Sequence, residues 1–301
     1  MDATIRPLTA ADFEAVVALD ARIGGAARRG YFEKRLQAAL RQPRRHLQLA
    51  AAADGVLTGF VLARKAGGEY GEPEGAVVLE AFGVDPAARH RGSGRRMLAR
   101  LEELARERNL AALVTQAHWR EHGILRFLDA ASFELAPRRI LERPVHRLPV
   151  DDAETAPPLV RNLRDADLEA LVRIDERITG QDRSDYLRRK LDEALHESAI
   201  QVSLVAEDDG CPVGFAMARV DFGDFGQLGA RASLDTIGVD PRFAGHGFAG
   251  ALVAQMIENL AALHVEQLET QVAPDAFGLQ RFLQRANFVP SQLVAFRKAL
   301  A

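Results

Sequence analysis

Two short turns in this chain carry the residue types that hold an anion. The first reads Arg89-His-Arg-Gly-Ser-Gly94, the second Ala244-Gly-His-Gly-Phe-Ala249, and each leads into a helical run. Glycine has no Cβ, so the backbone there can take positive φ and approach a ligand closely. The first N–H groups of a helix lack partners within it, and the positive end of the helix dipole sits beside them. An anion seated there gains charge-assisted hydrogen bonds of about 1.5–3 kcal/mol each, and a few of them anchor a pyrophosphate. Arg89, Arg91, Arg95 and Arg96 add positive charge around the first turn, whereas the second offers His246.

Acids supply the other candidate chemistry. Glu80 and Asp235 stand inside otherwise apolar runs, Leu79-Glu-Ala-Phe-Gly-Val-Asp-Pro86 and Leu234-Asp-Thr-Ile-Gly-Val-Asp-Pro241, just ahead of the two turns. An acid in such a strand is either an edge charge facing water or a proton acceptor. His118 and His122 lie four apart and could share a helix face, but no third ligand accompanies them, so no metal is expected. Trp119 beside them is either packing or a pocket wall. The acid–aromatic turns Gly68-Glu-Tyr-Gly71 and Gly223-Asp-Phe-Gly226 would suit a cationic amine if they lie near a cleft.

The elements that must position these residues follow from hydrophobic periodicity. A short strand covers Ile5 to Leu8, and helices cover Ala11 to Ile23 and Tyr31 to Ala39. His46 to Ala53 and Gly59 to Ala63 flank Asp54-Gly55, which predicts a hairpin. Ala76 to Val84 is a long strand, Gly94 to Asn109 a helix, Leu113 to Gln116 a strand, Ile124 to Ala131 a helix and Phe133 to Leu141 a closing strand. That order predicts an α/β unit, an α+β mixed sheet flanked by helices.

The unit occurs twice. Leu79 and Leu234 differ by 155 residues, and the same offset relates Arg6 to Arg161, Asp12 to Asp167, Asp20 to Asp175, Gly59-Phe60 to Gly214-Phe215 and Thr115-Gln116 to Thr270-Gln271. A period this long means two domains rather than a solenoid. The expected bounds are 1–146 and 159–301, joined by a proline-rich, acidic linker over 147–158. A net charge of −3 argues against nucleic acid as a partner. A single cysteine, Cys211, excludes a disulfide framework, and no apolar run reaches the ~18 residues of a membrane span. The expectation is therefore a cytoplasmic protein without membrane or nucleic-acid partners, forming an internal pseudo-dimer or a homodimer.

Three general readings of the glycine turn are a plain strand-to-helix turn, a dinucleotide site and a mononucleotide loop. In the register of Gly92 and Gly94, Met97 and Leu252 occupy the place of a third glycine, and neither copy has the Gly-Lys-Ser/Thr of a P-loop. A strand ending in Val-Asp-Pro, then [Q/R]-x-x-G-x-[G/A], then an amphipathic helix, resembles the acyl-CoA-binding motif of the GNAT superfamily of N-acyltransferases. Arg89 to Gly94 fits it fully, and Ala244 to Ala249 fits except at the first position. The resemblance covers nearly all of both halves and implies two tandem GNAT-like domains.

It further implies acetyl-CoA as co-substrate and direct transfer of an acetyl group to a small-molecule or peptide amine. The pyrophosphate would rest on the turn backbones, His90, Arg91, Gly92, Ser93 and Gly94 in one half and Gly245, His246, Gly247, Phe248 and Ala249 in the other. The pantetheine arm would pair with Phe82 and Val84, or with Ile237 and Val239, and the N–H of Phe82 or Ile237 would face the developing oxyanion. Glu80 and Asp235, two residues earlier and so expected on the same strand face, would take the proton of the attacking amine. The family's tyrosine acid is replaced by Leu128 and Leu283. That double replacement raises a rival expectation, a non-catalytic acyl-CoA sensor on the same fold.

Overall fold

A computed structural model describes residues 3–65, 75–146, 158–197, 201–222 and 229–300. The turns Gly68–Gly71 and Gly223–Gly226, and the linker except its last residue, lie outside them. In chain order the first half runs β1 (Thr4–Pro7), α1 (Phe13–Gly24), α2 (Arg29–Arg41), β2 (His46–Ala53), β3 (Val56–Lys65), β4 (Ala76–Val84), α3 (Ser93–Glu107), β5 (Ala112–His118), α4 (His122–Ala130), β6 (Glu134–Leu135) and β7 (Arg139–Pro144). The second runs β8 (Leu159–Asn162), α5 (Leu168–Thr179), α6 (Ser184–Asp192), β9 (Leu204–Asp208), β10 (Cys211–Phe222), β11 (Ala230–Val239), α7 (Phe248–Ala262), β12 (Gln267–Val272), α8 (Phe277–Arg285), β13 (Val289–Pro290) and β14 (Leu293–Ala299).

Local chemistry explains most boundaries. The β2–β3 hairpin turns on Asp54 and Gly55 at φ 51° and 77°, the pair of left-handed residues that a two-residue turn needs. Helices α1 and α5 stop at Gly25 and Gly180, both left-handed. Met97, Leu98, Leu101 and Ala105 give α3 one apolar stripe, and all four are buried.

The chain builds two seven-stranded sheets, ordered β1-β2-β3-β4-β5-β14-β6 and β13-β7-β12-β11-β10-β9-β8. Each sheet has a core on both faces. In the first, Leu47, Val61, Leu79, Leu101 and Leu128 pack under α3, while Val16, Leu19, Phe32, Phe60 and Leu62 pack under α1 and α2. In the second, Leu204, Leu234, Leu252, Met256 and Leu268 repeat the α3-type face, and Leu171, Ile174, Leu187 and Phe215 repeat the other.

The closing strand departs from expectation. Phe133 to Leu141 is not one strand: β6 and β7 are separate, and they join different sheets. The last strand of the chain, β14, pairs antiparallel with β5 over Leu293–Ala299 in the first sheet. Strand β7 pairs with β12 in the second. The first compact unit accordingly holds the described residues up to Arg138 and those from Gln292 on, whereas the second runs from Arg139 to Asp221 and from Gly229 to Ser291. These units cross the contiguous bounds 1–146 and 159–301. A duplicated unit offers two equivalent strand-docking edges, so exchanging closing strands preserves the pairing pattern.

Among the described residues no helix is long and apolar enough to cross a membrane.

Candidate functional site

The parallel pairing at the centre of each sheet stops early. Strands β4 and β5 pair at Ala76–Val78 with Ala112–Val114, although β4 continues to Val84 and β5 to His118. Strands β11 and β12 pair at Arg231–Ser233 with Gln267–Glu269, although β11 continues to Val239. Beyond those points each sheet forks. The Thr115 hydroxyl donates to the Leu79 carbonyl at 3.0 Å, and Thr270 does the same to Leu234 at 2.8 Å, closing the base of each fork. From Glu80 to Val84 the open edge of β4 spans about 13 Å at 3.3 Å per residue, and it carries unpaired main-chain groups.

The glycine turn lies directly past the fork. Asp85 Oδ1 accepts the Ala87 N–H at 2.9 Å, and Arg22 holds its other oxygen at 2.8 Å. In the second unit Asp240 accepts from Arg242 and from Arg177, and these hydrogen bonds hold its carboxyl well below the usual carboxylate range. Gly92 and Gly247 are left-handed at φ 78° and 85°, with open space where a side chain would be. Gly245 is left-handed as well, and His90 takes that conformation at its place in the first turn. His90, Arg91, Gly92, Gly245, His246 and Gly247 are exposed, as are the guanidinium-bearing Arg89 and Arg95. Ser93 and Phe248 are buried, at 4% and 6% exposure, which closes their side chains to a ligand. At Gly94 an added Cβ would make ordinary van der Waals contact, 3.4 Å from Phe127 and 3.5 Å from Phe82.

Glycines 245, 247 and 250 do carry G-x-G-x-x-G spacing, shifted from the register read above. The sheet around them is largely antiparallel, with β11–β12 its parallel pair, which is not the doubly wound setting of a dinucleotide site.

Glu80 and Phe82 do not share a face, contrary to the expectation from strand alternation. The β3–β4 register jumps at this point, pairing Leu62 with Ala81 and Ala63 with Leu79, so Glu80 is the extra residue of a β-bulge. Phe82 consequently packs with Phe127 at 4.9 Å between ring centroids, in the α3-side core. Glu80 turns toward α2. Its Oε1 accepts from Arg64 Nε at 2.7 Å and pairs with Arg35 Nη2 at 3.3 Å, and the residue is 2% exposed. Burial among these charges pushes the nearby His46 imidazole down to about 4, against a smaller opposing pull from Glu80. Asp235 repeats the arrangement: Lys190 Nζ and Arg219 Nε reach its Oδ2 at 2.9 and 3.2 Å, and Ser233 Oγ donates to Oδ1 at 3.3 Å.

Sequence reasoning missed these basic partners, yet the repeat held the signal. Arg35 and Lys190 are one offset apart, and so are Arg64 and Arg219, as are Glu80 and Asp235. Leu128 and Leu283 sit in the core at 2% and 1% exposure, aliphatic at the tyrosine position. Tyr31 and Tyr186 are buried on α2 and α6. His118 accepts the Arg120 N–H on Nδ1 and stacks on Trp119.

Comparison with known proteins adds the following. The model of the acetyltransferase (GNAT) family matches residues 13–124 and again 168–288. A mycothiol acetyltransferase of Geodermatophilus obscurus is 31% identical over 280 residues, covering 83% of this chain and 82% of the relative. Among solved structures, a tandem GNAT protein from the clavulanic acid biosynthesis pathway superposes with a TM-score of 0.71 at 17% identity, across 100% of this chain and 99% of that one. A GCN5-related N-acetyltransferase from Sphaerobacter thermophilus gives a TM-score of 0.66 at 18% identity, across 99% and 96%. At such identities the two structures speak for the fold alone.

Proposed function

The chain belongs to the acetyltransferase (GNAT) family, and from that premise we propose that it is an N-acetyltransferase in which each unit holds acetyl-CoA at its fork and passes the acetyl group directly to an amine. The observation that carries this reading is the pair of forks, each opening onto an exposed left-handed glycine turn. The residues fit the group: an open strand edge of about 13 Å accommodates an extended amide-bearing arm, and unpaired helix N–H groups past it suit a diphosphate.

Acetyl-CoA supplies an activated acyl carbonyl and a thiolate leaving group. The main chain of Phe82 and Val84, and of Ile237 and Val239, pairs with the arm as a neighbouring strand would. The turns His90–Gly94 and Gly245–Ala249 take the diphosphate on main-chain N–H groups, with Arg89, Arg91 and Arg95 adding charge in the first unit. The N–H of Phe82, or of Ile237, stabilises negative charge developing on the carbonyl oxygen. An amine of pKa ~10.4 is about one part in a thousand neutral near pH 7, so its proton must be removed. Glu80 and Asp235 take that role through water, since both are closed to direct contact. Leu128 and Leu283 offer no proton to the departing sulfur, which as a thiolate of a pKa ~8.5 thiol leaves without one.

The acceptor is a small-molecule amine; the name of the Geodermatophilus relative puts mycothiol chemistry first on the panel to be tried. Calorimetry with acetyl-CoA, followed by thiol release across amine acceptors, tests the reading. Binding with amine-dependent release is expected. No coenzyme A uptake by the full chain would sink it, and uptake without release on any amine would favour a sensor.

A further inference from the structure

Trp119 is the chain's single tryptophan, it is 47% exposed, and the acyl-transfer reading gives it no role. Its place in the first unit is fixed from several directions. The indole Nε1–H donates to Gln292 Oε1 at 3.1 Å, and the Trp119 main-chain N–H donates to the Gln292 carbonyl at 3.1 Å. His118 stacks on it with 6.1 Å between ring centroids and 18° between planes. A half-exposed indole held this firmly has already lost the rotamer freedom that stacking a ligand would otherwise cost.

Topology puts the Trp119 loop at the end of the sheet where the fork opens, anchored on the β14 side of β5. Strands β4 and β5 run parallel, so their C-terminal ends lie at the same end of the sheet. Strand β4 ends at the glycine turn, and β5 ends at His118, next to Trp119. Helix α4, which starts just after Trp119, touches that turn: Phe127 stands 3.4 Å from a Cβ built on Gly94. One turn back along the same face of α4 are Gly123 and Ile124, both exposed, and then the Trp119 loop. Exposed residues of α4 thus lie between its contact with the anion turn and the Trp119 loop. Arg120, exposed and 5.0 Å from the ring centroid, adds positive charge to it.

We propose that Trp119 stacks on the purine base of the nucleotide whose diphosphate occupies the Arg89–Gly94 turn, with Arg120 giving up its position over the ring. This deepens the cofactor reading and rests on it. The repeat supplies an internal contrast: one offset from Trp119 stands Pro274, and one offset from Gln292 stands Pro137, so the ring and its anchor are both without counterparts. The second site therefore holds its cofactor without this contact.

Because the chain has one tryptophan, its fluorescence reports on the first unit alone. Coenzyme A and 3′,5′-ADP, which carry adenine, are expected to quench it saturably, whereas acetyl-pantetheine, which lacks adenine, leaves it unchanged. Base–aromatic stacking of this kind predicts that Trp119→Ala weakens first-site coenzyme A binding about tenfold. Trp119→Phe retains most of the affinity, and acetyl-pantetheine binds both variants as it binds the parent. Calorimetric uptake of coenzyme A with no fluorescence change, or equal quenching by acetyl-pantetheine, overturns the assignment and leaves the cofactor reading standing. No calorimetric uptake at all removes the cofactor reading and this inference with it.

Discussion

At the scale of single residues, the acids at the forks are buried and each is held by two basic side chains. Removing one partner of a buried ion pair strands the other charge, so Glu80→Ala should destabilise the first unit by about 3–5 kcal/mol, measured by denaturant unfolding. Glu80→Gln and Asp235→Asn keep shape and one accepting oxygen but accept no proton; each should lower kcat of its own site by about 10²-fold. Because each also removes the negative charge facing buried basic side chains, it should lower stability as well, by less than the change to alanine. His46 makes a separate, pH-dependent contribution. Unfolded, its imidazole binds a proton near pH 6.5, and folded it does so only near 4. Between those values unfolding takes up a proton, so the stabilisation is complete above about 6.5 and is lost as pH falls toward 4, a change on the order of 3 kcal/mol. His46→Gln, which copies Gln201 one offset later, should flatten that part of the melting profile relative to the parent.

Elements decide where those residues face. The bulge at Glu80 breaks alternation and sends the acid and Phe82 to opposite sides of β4, a two-against-one pairing that no apolar/polar pattern records. Just past it, Gly83 lies against α1 and β3: an added Cβ would come within 2.6 Å of Phe60 and 2.9 Å of Ile23. Gly238 repeats this against Ile178 and Phe215. Gly83→Ala and Gly238→Ala should therefore cost about 1–3 kcal/mol by overpacking, read as a lowered melting temperature. Gly92→Ala meets no neighbour but must hold φ 78°, so its cost of about 1–2 kcal/mol is conformational. Hairpins, helices and the strand Ala76–Val84 were legible in the residues because turn chemistry and periodicity act locally. The fork was not, since the register at which β5 leaves β4 depends on what packs around both.

For the whole molecule, the governing feature is the exchange of closing strands. Ending the chain after Ser291 removes β14, uncovering the β5 edge over Ala112–His118 and leaving β6 without its partner. Hydrogen exchange should then show amide protection in β5 falling by at least about tenfold, with β12 little changed because β7 still covers it. Equal loss in both strands, or none in β5, would contradict the observed pairing.

The amino-acid order alone determined the duplication, the glycine turns and the two acids, because each is a matter of residue type at a fixed spacing. Only the folded chain decided which edge each closing strand covers, that Glu80 faces Arg35 and Arg64 rather than the Phe82 side, and that Gly83 lies too close to Phe60 for a side chain. The reason is physical: composition and period act over a few residues. Strand register, bulges and exchange are settled by contacts between segments far apart in the chain, and in a duplicated protein two equivalent sets of such contacts compete for the same strand.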